Sequence, residues 1–226
     1  MKKNNNSIYA ENHYKLMDRI LIKKRLDMIK IINEYLEDQS TLDVLDIGST
    51  NDNDHHSSNY IIKNLNKFNS YKSISDQKIQ TTFFDKCLNK SIIEDFSKEE
   101  LEEYSSDLVI SNATIEHVGS YDNQFKMLNN IIKLSKKYFI IITPNRFHPI
   151  ELHTKLPFIH WLPKKIHRIL LKLIGFESLS KEENLNLMSK TDLLSMIKNF
   201  GDIEFDIKYI NFLLFKSNFI LIGKKL

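Results

Sequence analysis

The chain has 226 residues, 42% of them hydrophobic and 27% charged, which is the makeup of a soluble globular protein long enough to bury one substantial core. A formal net charge of +3 makes no electrostatic case for nucleic acid, and a single cysteine, Cys87, excludes an internal disulfide framework and any multi-cysteine metal site. No apolar stretch approaches the ~18 residues of a spanning helix, and the basic start Met1-Lys2-Lys3 has no apolar core behind it, so it does not read as a secretory signal.

Residues from about Glu11 to Leu36 predict one long helix. Met17, Leu21, Met28, Ile32 and Tyr35 fall near one face, while Lys15, Arg19, Lys23, Lys30 and Glu34 populate the others. Gln39-Ser40 breaks the pattern. Val44-Leu45-Asp46-Ile47-Gly48-Ser49-Thr50 then reads as a buried strand that ends in an acidic residue and a glycine turn, where the backbone can be approached closely. The loop Asn51 to His56 is polar. His55 and His56 are adjacent and so lack a chelating spacing, and no metal site is expected there or elsewhere. A capped helix is predicted from about Ser57 to Phe68.

Tyr71 to Ser75 fits a second strand, closed by Asp76 and Gln77. An acidic residue at that place can accept hydrogen bonds from ribose hydroxyls. Ser91 to Phe96 reads as a short third strand. Ser97 starts a helix whose acidic run, Glu99 to Glu103, is a solvated face. Asp107 to Ser111 is a fourth strand, with Asn112 and Ala113 at its carboxyl end and a short turn from Thr114 to Val118 that Gly119 closes. An amphipathic segment from Tyr121 to Lys136 leads into a fifth strand, Tyr138 to Ile142, whose continuous apolarity predicts burial on both faces.

Residues 146–176 form an insertion. It opens with His148-Pro149-Ile150-Glu151-Leu152-His153 and continues into a helix with Pro163 at its start and Gly175 past its end. Leu162, Ile166, Ile169, Leu170 and Leu173 share one face, and Lys164, Lys165, His167, Arg168 and Lys172 make the rest basic. Packing on the protein's own domain is the simpler expectation for the apolar face; contact of residues 162–174 with an anionic membrane surface is the other. A capped helix from Lys190 to Phe200 and two final strands, about Ile203 to Phe215 and Asn218 to Ile222, complete the chain.

Two stretches carry a family resemblance: Val44 to Thr50, and Asp107 to Val118 with its Ile115-Glu116-His117-Val118 segment. Together they resemble the class I S-adenosylmethionine-dependent methyltransferases, in particular the type 11/12-like branch with an LEHV-like segment after the fourth strand. The resemblance implies a single α/β domain, a Rossmann-like three-layer sandwich. Its seven-stranded sheet would be mostly parallel with an antiparallel last strand, and the helical insertion would follow strand five. It implies S-adenosyl-L-methionine as cofactor. Asp46 would lie near the methionyl end, with Gly48 and Ser49 at the close approach. Asp76 and Gln77 would take the ribose, Asp95 and Phe96 the adenine, and Asn112 the methionine portion. His148, Glu151, His153 and His117 are the candidates for substrate chemistry, since histidine titrates nearest neutrality.

The resemblance implies a cytoplasmic bacterial enzyme, free or peripheral to the inner face of the membrane, that methylates oxygen of a small molecule or surface-glycan precursor. Two other readings stand beside it. A nicotinamide-dependent oxidoreductase is disfavoured because the loop lacks the glycine pattern that brings backbone N–H groups to a pyrophosphate. A non-catalytic binding module stays open because Gly48-Ser49-Thr50-Asn51 departs from the family's glycine-rich loop.

Overall fold

The computed structural model describes residues 21–36, 39–51, 59–212 and 214–226. The expectations that fall on Glu11 to Ile20, on His55 and His56, and on the cap at Ser57 or Ser58 lie outside them.

Alternation along one short strand sets the layering. In β1 (Asp43–Ile47) Val44 points to one face of the sheet and Leu45 to the other, and both are fully buried. Val44 joins Met28 and Ile32 of α1 (residues 21–35) and Ile61 and Ile62 of α2 (Tyr60–Asn64). Leu45 joins the opposite core, built on α3 (Lys98–Tyr104), α4 (Tyr121–Leu134) and α6 (Lys190–Ile197) through Tyr104, Met127, Ile131 and Met196. Helices thus cover both faces, which a buried parallel sheet requires.

β2 (Ser70–Ser75) pairs in parallel with β1, placing Ser73 opposite Asp46, and β3 (Lys86–Asn89) extends the sheet beyond β2. The chain then crosses back, so that β4 (Ser106–Asn112) lies on the other side of β1 and β5 (Ser135–Pro144) beyond it, both parallel. β6 (Ile203–Phe212) and β7 (Phe215–Lys225) form an antiparallel pair, and β7 inserts beside β5. The order is β3-β2-β1-β4-β5-β7-β6, and among the described strands β7 alone runs against the rest. The expected seven-stranded sandwich is therefore the architecture found.

Three local expectations are corrected. The third strand is Lys86–Asn89, not Ser91 to Phe96. It is a sheet edge with exposed lysine and cysteine, so it needs no apolar pattern, and Ile92 instead plugs the core from a turn. α2 stops at Asn64 because Leu65 turns extended, which lets Leu65 and Phe68 both reach the core. The insertion helix α5 (Lys164–Leu173) begins after Pro163 and is followed by Gly175 at φ +91°, as its sequence indicates. Its apolar face, however, does not pack on the domain. His167 and Leu171 are its buried residues, while Ile166, Ile169 and Leu173 are 47%, 60% and 75% exposed.

Candidate functional site

The strand order reverses between β1 and β4, and in open α/β sheets the ligand crevice lies at such a reversal, outside the carboxyl ends of the strands. Gly48 makes the turn there. Its φ is +86°, and a Cβ at this position would sit 2.2 Å from Thr114 Oγ1, so conformation and neighbour both demand glycine. The turn is tied to the ends of both neighbouring strands, β2 and β4. Gly48 N–H donates to the Ile74 carbonyl at 2.9 Å, and the Ser75 hydroxyl donates to the Ser49 carbonyl at 2.8 Å. The hydroxyls of Ser111 and Thr114 both donate to the Ile47 carbonyl at 3.2 Å. Beyond the turn, Asn59 clasps Thr50 in both directions: its Oδ1 accepts from Thr50 N–H at 2.9 Å and its Nδ2 donates to the Thr50 carbonyl at 2.7 Å.

Two clefts flank this turn, and a third adjoins them at the end of β4. The first, about 260 Å³, is lined by Gly48, Ser49, Asp76, Gln77, Ile92 and His117, among others. The second, also about 260 Å³, lies on the other side of Gly48 and includes Asp46, Thr50, Asn59, Tyr60 and Asn112. The third, about 180 Å³, is walled by Lys24, Arg25, Glu116, Leu152 and His153. Ile47, Gly48, Thr50 and Ala113 border the first and second clefts, and Asn112 and Ala113 border the second and third. The result is one bent crevice.

Its charges are placed by burial. Desolvation pushes the Asp46 carboxyl up to about 6, although the Ser49 hydroxyl donates to it at 2.5 Å and pulls the other way. Desolvation, with Arg25 adjacent, brings the Lys24 ammonium down to about 8. In the third cleft the Glu151 carboxylate anchors a turn. Oε1 accepts from the His153 backbone N–H at 2.9 Å, and Oε2 accepts from Thr154 N–H at 2.6 Å. His153 Nδ1 lies 2.6 Å from the same Oε1. Burial opposes ionisation of both side chains and is the largest single influence on each, but the hydrogen bond and charge attraction between them, together with the two backbone N–H donors to Glu151 and the nearby Glu116, outweigh it, holding Glu151 well below the usual carboxylate range and raising His153 above the ordinary imidazole value.

Glu116 and His117 sit on a short helical turn after β4. Glu116 is fully buried. Its Oε2 accepts from the Thr143 hydroxyl at 3.0 Å, and its Oε1 has no hydrogen-bond partner. His117 is exposed, and its Nδ1 lies 2.6 Å from the Asn184 carbonyl. The turn is braced from below. Asn186 N–H donates to the Glu116 carbonyl at 2.7 Å, and Gln124 Nε2 donates to the Ile115 and Asn186 carbonyls.

The structure thus brings Asp46, Gly48, Ser49, Asp76, Gln77, Asn112, His117 and His153 to the crevice, with Glu151 directly behind His153. Three residues expected there are elsewhere. The Asp95 carboxylate is 92% exposed and pairs with Lys126 at 3.2 Å; the position facing the first cleft is taken by Ser91 and Ile92. Phe96 packs on the core, with Lys90 Nζ 4.9 Å from its ring centroid. His148 is buried between backbone carbonyls, its Nδ1 2.7 Å from Ile150 O and its Nε2 3.1 Å from Phe212 O, so it serves packing rather than the crevice. Lys24 and Glu116 are crevice residues that sequence reasoning left without a role. Lys24 stands four residues before Met28 and eight before Ile32, on the apolar stripe of α1, which is the signal that could have found it.

No protein-family model matches the chain, and no curated protein matches it in sequence. Solved structures do match its fold. The 1,6-didemethyltoxoflavin-N1-methyltransferase of Burkholderia thailandensis, with 1,6-didemethyltoxoflavin and S-adenosylhomocysteine bound, aligns with TM-score 0.55 at 11% identity over 97% of this chain and 86% of its own. The magnesium protoporphyrin IX methyltransferase of Synechocystis PCC 6803, with S-adenosylhomocysteine bound, aligns with TM-score 0.54 at 11% identity over 90% of this chain and 84% of its own. A SAM-dependent methyltransferase of Methanosarcina mazei aligns with TM-score 0.50 at 14% identity over 87% and 97%. The chain has the fold of the class I S-adenosylmethionine-dependent methyltransferases.

Proposed function

We propose that the protein is an S-adenosylmethionine-dependent methyltransferase acting on oxygen of a small molecule or glycan precursor. The observation that carries this reading is the single crevice at the β1–β4 reversal, with Asp76 and Gln77 on one side of the Gly48 turn and Asp46 and Asn112 on the other. On this reading the adenosine occupies the first cleft, with its ribose hydroxyls donating to Asp76. The methionyl ammonium and sulfonium lie toward Asp46 in the second cleft, where a buried carboxyl gains a cationic partner. The acceptor enters the third cleft, and its nucleophilic atom lies among Glu116, His117 and His153. The cofactor's sulfonium already activates the methyl group, so the protein's task is alignment and charge placement; in-line positioning can supply up to about 7–11 kcal/mol of barrier reduction. Solved proteins of the same fold hold S-adenosylhomocysteine, which supports the choice of cofactor.

Titration calorimetry with S-adenosylmethionine, S-adenosylhomocysteine and NAD tests the proposal. Binding of the first two is the expected result. Binding of NAD alone overturns it, and cofactor binding without turnover on a broad acceptor panel favours a non-catalytic module.

The same proposal places the enzyme at the cytoplasmic face of a membrane. Among the described residues no helix is long and apolar enough to cross one. Yet α5 presents Ile166, Ile169 and Leu173 to solvent beside Lys165 and Lys172, and the row continues through Leu162, Trp161 and Phe158. Apolar side chains flanked by cations suit the boundary of an anionic bilayer. Co-sedimentation with phosphatidylglycerol vesicles at low salt is expected for the wild type and not for Ile169→Glu. No retention of the wild type removes the membrane from the proposal.

A further inference from the structure

We infer that Glu116, His117 and His153 form a binding site for one divalent first-row transition-metal ion, such as Zn²⁺, Mn²⁺, Co²⁺ or Fe²⁺, where the first and third clefts meet.

The geometry comes from two elements that are distant in sequence. Glu116 and His117 stand on the turn after β4, and His153 stands on the turn after β5. One ligand atom from each lies within 4.8 Å of the others. Around an ion bonded at about 2.1 Å, two ligand atoms are at most about 4.2 Å apart, so only a small closing movement is needed, and His117 stands at the exposed edge of the group. The imidazole rings of His117 and His153 already stand 5.0 Å apart between centroids, at 83° to each other.

Each imidazole is prepared on its far side. His117 Nδ1 faces the Asn184 carbonyl at 2.6 Å, an acceptor only, so Nδ1 carries the proton. His153 Nδ1 faces the Glu151 carboxylate, which fixes the same tautomer. In their neutral forms both rings then leave Nε2 with a lone pair, and an ion bound at His153 takes the place of a proton. A ligating histidine whose other nitrogen donates to a carbonyl or carboxylate is the usual arrangement around a bound metal. The third member supplies an independent observation. Glu116 is fully buried, and its Oε1 has no hydrogen-bond partner. A buried carboxylate oxygen without a partner is destabilising, and a cation is the partner that this one lacks.

The donor set defines the ligand class. Two imidazole nitrogens and one carboxylate suit zinc, manganese, cobalt or iron(II) better than calcium, which prefers all-oxygen shells. Three protein ligands leave positions open, and here they face the third cleft. If the methyltransferase reading holds, on which only this consequence rests, an open position takes the acceptor hydroxyl. Coordination lowers its pKa and its proton leaves to water. The oxygen then forms a bond to the methyl carbon while the carbon–sulfur bond breaks, its electron pair staying on sulfur to give S-adenosylhomocysteine.

Binding is measured on the full-length protein after chelator treatment. Co²⁺ is titrated with detection by visible absorption, and Zn²⁺ and Mn²⁺ by calorimetry, all without cofactor. Saturation at one ion per chain is expected, with affinity reduced at least hundredfold in His117→Ala, whose exposed side chain makes misfolding an unsuitable explanation. His153→Ala should behave alike. The inference is overturned if wild type shows no saturable binding of these ions, or if His117→Ala binds them as tightly as wild type. Cofactor binding by the same chelated protein is read separately, so failure of the metal site and failure of the methyltransferase reading give different results.

Discussion

Replacing Asp46 by Asn should make the protein more stable and less able to hold the proposed cofactor. The magnitude follows from burial. Asp46 is enclosed at the end of β1, and desolvation moves its carboxyl from the ordinary 3.8 to about 6, opposed by the Ser49 hydroxyl. At 1.36 kcal/mol for each pH unit, the charged form is about 3 kcal/mol costlier in the fold than in the unfolded chain. The sign is that of a carboxyl with a raised folded pKa. Between pH 3.8 and about 6 the native state binds more protons than the unfolded state, so this contribution to stability falls as pH rises and is fully lost above about 6. Asp46→Asn keeps an oxygen for the Ser49 hydroxyl and carries no charge. At pH 7 it should be about 3 kcal/mol more stable than wild type, which for a chain of this size is a rise of about 6–12 °C in Tm. At pH 4 the two proteins should differ little. Denaturant unfolding at pH 4, 5, 6 and 7 measures the difference directly. Equal stabilities at pH 7, or a gap that does not shrink toward pH 4, would refute the argument. Calorimetry on the same variant should show weaker S-adenosylmethionine binding, because the carboxylate that destabilises the empty fold is the partner proposed for the cofactor's cationic end.

Other perturbations have outcomes of comparable definition. Gly48→Ala meets both a left-handed backbone and Thr114 Oγ1 at 2.2 Å, and should destabilise by about 2–5 kcal/mol in denaturant melts; adding Thr114→Ala should return the part due to the clash and leave the backbone part. Asp76→Ala removes the proposed ribose acceptor and should weaken cofactor affinity by about 1.5–3 kcal/mol without changing Tm, since the side chain is exposed; unchanged affinity in calorimetry removes Asp76 from the site. Burial lowers the pKa of His160 and of His167, so the stability tied to their neutral forms is present above the ordinary histidine value of 6.5 and is lost as pH falls through their lowered values. Hydrogen exchange between pH 7 and 5 should therefore report loosening of residues 159–173, and His167→Leu should flatten that response.

How much of this could be read from the sequence depended on what each residue needed around it. The inner strands announced themselves because burial on both faces demands an unbroken apolar run, as in Leu108-Val109-Ile110 and Phe139-Ile140-Ile141-Ile142. Gly48 and the carboxylate ahead of it were legible for the same reason: they punctuate such a run. β3 was not, because an edge strand with one open side can carry Lys86 and Cys87, and the nearby apolar pair Ile92-Ile93 drew the assignment five residues too far. Asp95 followed that error out of the crevice. His148 and His153 looked equivalent in sequence. Only the turn that Glu151 anchors decides that one ring enters a cleft while the other wedges against the carbonyls of Ile150 and Phe212. The Glu116–His117–His153 group had no sequence signature, since it spans two strand-to-helix connections with no common spacing.

The end of β4 is where these separate demands are reconciled. Ala113 adopts φ +55°, a conformation that a residue with a Cβ reaches only at a cost of about 1–2 kcal/mol. Its N–H donates to the Ile142 carbonyl at 2.8 Å, so pairing with β5 continues up to the bend itself. The bend sends consecutive residues to different tasks. Asn112 borders the second and third clefts, Thr114 fills the space against Gly48, and Glu116 returns to the third cleft with an unpartnered oxygen. A straight exit from the strand would carry Thr114 away from the Gly48 turn and Glu116 away from Thr143 and His153. Strain held at one residue beside the proposed reaction centre is thus what aligns the first two clefts, where the cofactor is proposed, with the third, where the acceptor is proposed, and it persists because β5 and the turn of β1 grip the segment from both sides.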